Sequence, residues 1–295
     1  MARVLITGGE GFLGAPLVRL ARAAGHEVVS ADLLPGADRP LDARDTDAIA
    51  ALVADVRPQA IVHLAAGLTD AGESDPVGTT RLNALGTAAV FAAAEAGDVE
   101  RVIYATSISA VGPTSRPTGD DTRLAPGNVY GATKAFCEHL AAAMSARGRS
   151  PRYLGLRFGY VYGPGRVRGW RDVQRIVERV AAGERNIDYP DYPEAIDWTW
   201  IDDAADILLR AVERPLPRNA VVNVVGDKRR MRDAIAHLQR RVPELVAQPT
   251  PARTPPAAWG LINDGLEPLL GAVPATTLET GIDRMLAAAI ASLNP

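Results

Sequence analysis

The chain has 295 residues, a formal net charge of −3 from 32 Lys and Arg against 35 Asp and Glu, and a pI near 5.9. That length can bury a large core in one or two domains, and the mildly acidic balance excludes a broad basic surface for nucleic acid or anionic membrane. The lone Cys137 excludes a disulfide framework or thiolate metal cluster, and the chain enters at once into Val4-Leu5-Ile6 with no apolar run of membrane-spanning length, so a globular protein of the reducing cytoplasm is expected.

Residues 3–7 predict a short buried strand, followed at once by Gly8-Gly9-Glu10-Gly11-Phe12-Leu13-Gly14. An amphipathic run over 13–24 stops at Gly25, and 28–32 predict a second strand that ends in Asp32. Strand, glycine turn, helix and strand ending in an acid make a dinucleotide-binding βαβ unit. Its glycines let the backbone approach a pyrophosphate whose charge meets a helix N-terminus. Gly8, Gly11, Phe12 and Leu13 are therefore candidate cofactor contacts. Asp32 is placed to accept from ribose hydroxyls and would repel a 2′-phosphate. Leu33 follows it rather than an arginine, so NAD is expected over NADP.

Asp45 predicts a helix cap before 46–53. Pro58 precedes a third strand, 60–64, in which His63 reads as a satisfied buried histidine rather than a catalyst. Residues 77–96 predict one long alanine-rich helix carrying Asn83. A strand over 101–106 runs into Ser107-Ile108-Ser109, at the sheet end where open α/β folds bind ligands. A loop rich in Pro, Gly, Thr and Asp spans 113–127.

The helix expected over 129–146 carries Tyr130 and Lys134, one turn apart on the same face. An ammonium beside a phenol favours the phenolate, so the pair can act as a general base. Only two lysines occur in the chain, Lys134 and Lys228. The same helix is apolar on more than one side, through Ala135, Phe136, Cys137, Leu140 and Met144, and needs a second surface to cover it.

A further strand, 153–158, leads into Val161-Tyr162-Gly163-Pro164-Gly165 and a basic segment. There Arg171, Arg175 and Arg179 share the solvated face of a helix expected over 171–182, while Arg166 or Arg168 is suited to clamp a small anion such as a carboxylate. Asp202 and Asp203 suit a helix N-terminus. A strand over 220–225, a surface connection over 249–256 and a final helix over 274–293 complete the chain.

The Gly8, Gly11, Gly14 spacing together with Tyr130 and Lys134 resembles the short-chain dehydrogenase/reductase family. The wording Thr7 to Gly14 and the chain length are similar to its extended branch, the NAD-dependent epimerase/dehydratase group. The resemblance implies an α/β fold: a Rossmann-type doubly wound parallel sheet with a smaller C-terminal α/β substrate lobe. Residues 1–162, with returning segments near 200–225, would bind NAD, and 163–295 would mainly form the lobe. It implies that Asp42 reaches the adenine amino group, that Leu64, Ala65 and Ala66 lie beneath the cofactor, and that Asn83 supports the active-site end of the sheet. Ser107 would hold the reacting oxygen, with Ser109 its neighbour. Tyr130 would exchange the proton, and Lys134 would bind the nicotinamide ribose. A homodimer would form through a four-helix bundle of 77–96 and 129–146.

The chain departs from the nucleotide-sugar enzymes of that family. Tyr160 stands where many have a phosphate-holding asparagine, and Ile196 stands where an arginine precedes the acidic-aromatic pair Asp197-Trp198. Ser107 is followed by Ile108-Ser109 and not by the Thr-Asp-Glu triplet of the dehydratases. The expectation is an NAD-dependent oxidoreductase that moves a hydride to or from a small polar substrate (sugar, sugar acid or hydroxy acid), with Ser107, Ser109, Tyr160, Arg166 and Arg168 as substrate contacts. A nucleotide-sugar epimerase with tightly held NAD and a non-catalytic NAD sensor are the alternatives; the intact Ser107, Tyr130 and Lys134 set argues against the sensor.

Overall fold

The computed structural model describes every residue except 115–116, 217–218, 253–259 and 294–295. Seven strands, β1 (Arg3–Thr7), β2 (Glu27–Asp32), β3 (Arg39–Pro40), β4 (Ala60–His63), β5 (Arg101–Ser107), β6 (Arg152–Phe158) and, from late in the chain, Ala220–Val224, form the large sheet. Every pairing in it is parallel. With β7 (Tyr160–Tyr162), β8 (Asn186–Asp191) and β9 (Ile196–Trp200) intervening, the late strand is β10, and the order is β10-β6-β5-β4-β1-β2-β3. The strands run as apolar segments because both faces are covered by helices. Their period-two alternation sends Val4, Ile6, Val62 and Ile103 to one core and Leu5, Ile61, Val102 and Tyr104 to the other. Strand order reverses between β1 and β4, which opens a crevice beyond their C-terminal ends.

A second layer is built from short strands. β7, β9 and β11 (Asp227–Arg229) form one small sheet, and β8 pairs in parallel with β12 (Val246–Pro251) in another. β7 and β9 bring a run of aromatic rings together: Tyr160 and Tyr162 each meet Trp198 edge-on, at 5.0 and 5.4 Å between centroids. Such pairs hold more than their buried area alone, and they seat this layer on the end of the large sheet.

The helix expected over 77–96 forms and is unbroken from Pro76 to Ala96, with a π-helical turn at Arg81–Leu85 inside it, and Thr69–Ser74 forms a further helix before it. The stretch 249–256 was expected to be a surface connection. Its first part instead completes β12, and residues 253–256 lie outside those described. β8, β9, β11 and the helix Met231–Arg241 were not anticipated. β11 is three charged residues and β8 only six residues with polar ends, so neither offers a run long enough to read; the helix Met231–Arg241 is amphipathic, so its pattern was there to be read.

Candidate active site

The glycine turn is built by close approach. Gly8 sits at φ +72°, and a Cβ there would come within 2.6 Å of the Ala65 nitrogen; one at Gly14 would lie 2.0 Å from the Gly8 oxygen. The helix Gly14–Ala23 starts at Leu13 without a side-chain cap, so the first-turn N–H groups around Phe12 and Leu13 are left for an anion. Asp32 is held rigidly: its carboxylate accepts from the Glu10 N–H at 3.0 Å and the Leu34 N–H at 3.0 Å. The turn, the open helix end and the oriented acid fit a dinucleotide. Leu64, Ala65 and Ala66 follow β4 beside Gly8, and the Leu64 N–H bonds the Thr7 oxygen at 2.9 Å.

Asp42 follows Leu41, whose N–H bonds the Asp32 oxygen at 3.0 Å. Its carboxylate is gripped by Arg44 at 2.6 Å, whose guanidinium holds it below the usual carboxylate range against a small burial effect. Asp45, as expected, caps its helix by accepting from the Asp47 and Ala48 N–H groups. His63 is buried between Thr7 Oγ1 at 2.7 Å and Thr87 Oγ1 at 3.0 Å. Burial, then the Lys134 cation, push it down to about 3, so it stays neutral and fully bonded.

Asn83 occupies the π-helical turn. Its amide exchanges two bonds with the Gly67 backbone, at 2.8 and 3.0 Å, and donates to Thr133 Oγ1 at 3.0 Å. It thus ties the loop after β4 to the helix Val129–Ser145 and makes its bonds to protein groups. That helix is capped by Asn128, which accepts from the Gly131 N–H at 2.7 Å. Gly131 permits intimate contact: a Cβ there would fall 2.2 Å from the Ser109 oxygen. The helix start is thereby pressed against the short 3₁₀ turn Ile108–Ala110, which Ser107 caps by accepting from the Ser109 N–H at 3.2 Å.

Tyr130 and Lys134 therefore arrive beside Ser107. Lys134 is buried and donates to the Ala105 oxygen at 2.9 Å, with Nζ 5.7 Å from the Tyr130 ring centre. Ser107, Ser109, Tyr130, Tyr160 and Arg166 line one pocket of about 140 Å³, together with Leu68, Thr69, Ile108, Gly159, Gly169, Trp170, Ile196 and Asp197. Arg168 is exposed and does not line it. Arg166 stacks between Phe12 of the glycine turn (5.5 Å) and Tyr160 (5.2 Å) and donates to the Val161 oxygen; burial lowers its pKa. Arg179 pairs with Glu184 on the solvated face, whereas Arg171, expected on the same face, pairs with Glu178 but is only 21% exposed and lies near enough to act on the charges of Tyr160 and Arg166.

Eight pocket residues were not singled out as contacts by the sequence: Leu68, Thr69, Ile108, Gly159, Gly169, Trp170, Ile196 and Asp197. The sequence carried no signal for Asp197: it is an acid in a strand, Ile196–Trp200, whose burial throughout only the structure shows. Burial pushes its carboxyl up to about 6 despite Lys228, whose Nζ lies 3.7 Å from Oδ1.

The family model described as the NAD dependent epimerase/dehydratase family matches residues 4–225. The chain is 33% identical over 228 residues to a 3-diazoavenalumate denitrifying reductase from a Streptomyces species, covering 72% of each chain. It is 29% identical over 272 residues to a dTDP-L-rhamnose 4-epimerase of Burkholderia thailandensis, covering 72% of this chain and 73% of that one. Its structure matches that of MoeE5, solved in complex with UDP-glucuronic acid and NAD, with a TM-score of 0.86 at 25% identity over 98% and 99% of the two chains. With the glycine turn, Asp32 and the parallel sheet in place beneath these matches, the chain belongs to the NAD dependent epimerase/dehydratase family and is an NAD-using enzyme of the extended short-chain dehydrogenase/reductase type.

Proposed function

We propose that the protein is an NAD-dependent dehydrogenase or reductase acting on a carbinol or carbonyl carbon of a small polar acid. The observation that carries this is the convergence of Ser107, Tyr130 and Arg166 on one pocket of about 140 Å³, well below the roughly 300–1,000 Å³ of a drug-sized site. NAD, when bound, supplies hydride exchange at the nicotinamide. The chain contributes position and a proton path. Ser107 Oγ donates to the substrate oxygen, and Tyr130 takes or returns that oxygen's proton. Lys134 fixes a positive charge beneath the ring, where it also meets the ribose hydroxyls. Arg166 pairs with the substrate's acid group. In this assignment 1–162 and the segments near 200–225 hold NAD, and 163–295 mainly hold substrate.

The relatives' own reactions support a second reading, nucleotide-sugar epimerisation with NAD retained. Tyr160 and Ile196, both without charge, weigh against a diphosphate. Incubating the protein with NAD and a panel of aldonates, uronates, hydroxy acids and nucleotide sugars separates the two. NADH formation with a small acid is expected. Turnover of nucleotide sugars alone, with no net NADH, would overturn the proposal in favour of the epimerase.

We further infer a homodimer through the Tyr130 helix and its neighbour. Val77, Leu85 and Phe136 are 64%, 54% and 44% exposed there, and such an apolar face supports a second copy as its cover. A reducing cytoplasmic setting is part of the same proposal, supported by the buried, free Cys137.

A further inference from the structure

Eight buried side-chain nitrogen or oxygen atoms among the described residues have no hydrogen-bond partner, and three of them, Tyr160 Oη, Arg166 Nε and Asp197 Oδ1, belong to residues of this single pocket. A native interior leaves few such groups, because each forfeits the bonds it made in water. Where several belong to residues around one cavity, a molecule entering that cavity is one way to satisfy them.

Asp197 is the most demanding of the three. It lies in the middle strand of the three-stranded sheet and is 2% exposed. Its strand register places it opposite Lys228, but the 3.7 Å gap gives Oδ1 a charge partner rather than a hydrogen bond. Oδ2 has only a long contact, 3.5 Å, from the Leu261 N–H. Lys228 gives one of its three N–H groups to the Leu261 oxygen. The carboxyl is thus kept in an aromatic wall with an acceptor unused.

We propose that Asp197 is a specificity-determining residue: it accepts a hydrogen bond from a second hydroxyl of the substrate, while Arg166 pairs with the substrate's acid group. This rests on the reading of the pocket given above and deepens it. The substrate class is then a polyhydroxy acid, with at least one hydroxyl beyond the reacting one, rather than a simple keto or hydroxy acid. A site built to bond a hydroxyl rejects the analogue that lacks it far more strongly than an apolar pocket rejects a size difference.

The test uses the NAD-loaded protein and matched pairs of sugar acids and their monodeoxy analogues, with D-gluconate and D-glucuronate as parents. Binding is measured by calorimetry in the Tyr130→Phe variant, where no chemistry interferes, and turnover is measured in the otherwise unaltered enzyme. A parent acid should bind on the order of 100-fold more tightly than one of its deoxy analogues. Asp197→Asn should cut that ratio about tenfold, and Asp197→Leu should nearly abolish it. In turnover the loss should fall mainly on KM, with kcat less affected. Circular dichroism and thermal unfolding confirm that the variants are folded; Asn is the one retained should Leu fail to fold. An unchanged ratio in Asp197→Asn overturns the proposal, as does failure of every member of the panel to bind. If the ratio collapses but bound acids are never oxidised, Asp197 keeps its role and the dehydrogenase reading fails instead.

Discussion

Tyr130 and Asp197 show how single side chains are fixed by opposite means. Tyr130 is held through its backbone, by the Asn128 cap and the Gly131 contact, which leaves its phenol free to face the pocket. Tyr130→Phe removes only the oxygen that moves a proton, so it should lower kcat by on the order of 100-fold or more and leave NAD affinity nearly intact. Lys134→Ala should weaken both rate and NAD binding, since the ammonium bonds the Ala105 oxygen and, in the proposed site, meets the nicotinamide ribose. Calorimetry with NAD alongside steady-state rates checks both; more than about a tenth of the activity in Tyr130→Phe would contradict the proton path.

Asp197 is instead a destabilising residue. Its folded value, about 6, lies above the ordinary 3.8 because burial penalises the charge. Below pH 4 both folded and unfolded chains hold the proton and the penalty is absent. Between pH 4 and 6 the unfolded chain releases it first, so stability falls as pH rises, and above pH 6 the cost levels off on the order of 3 kcal/mol. Asp197→Asn should therefore unfold at higher urea than the parent at pH 8, and the gap should close by pH 4. A gap independent of pH would show that the carboxyl is not the source.

At the scale of the element, the helix Val129–Ser145 is anchored two turns beyond Tyr130. Glu138 meets Arg157 of β6 in a bidentate pair, 2.7 to 3.1 Å, with both side chains 4% exposed. Thr106 Oγ1 donates to Glu138 at 2.7 Å, and Arg157 reaches the Asp120 oxygen at 2.8 Å. The pair therefore fastens helix, sheet and the loop before the helix to one another. Breaking it strands a buried guanidinium, so Glu138→Gln should cost about 3–5 kcal/mol in a urea titration, whereas Glu138→Leu with Arg157→Leu should recover most of that. A loss under about 1 kcal/mol would mean that the anchoring lies elsewhere.

For the whole molecule, cofactor choice and assembly are the measurable consequences. Asp32, oriented by two backbone N–H groups, should favour NAD over NADP by about 1–3 kcal/mol, because a 2′-phosphate beside it would be an unmatched buried charge. Equal or tighter NADP binding by calorimetry would refute this. The exposed apolar face at Val77, Leu85 and Phe136 should bring light scattering to twice the 31.2 kDa chain mass, across an interface above about 1,200 Å². Phe136→Glu should return it toward the monomer. A single-chain mass for the parent protein at micromolar concentration would remove the dimer.

The glycine turn, Asp32 and the Tyr130 and Lys134 pair were legible in the sequence, because each depends on contacts within a turn or on a period repeated along one element. Asp45 as a cap was legible for the same reason; His63 reads as a bonded core residue from its place in an apolar strand, while its partners Thr7 and Thr87 are distant in the chain. The π-helical turn at Asn83, the pairing of β12 with β8 and the seat of Arg166 between Phe12 and Tyr160 were not. Each is decided by partners tens to more than a hundred residues away. Asp197 belongs to that second group most clearly. As a letter in the chain it is an ordinary acid; only packing makes it a buried carboxyl with an idle acceptor beside the pocket, because desolvation and the position of Lys228 are properties of the assembled layers.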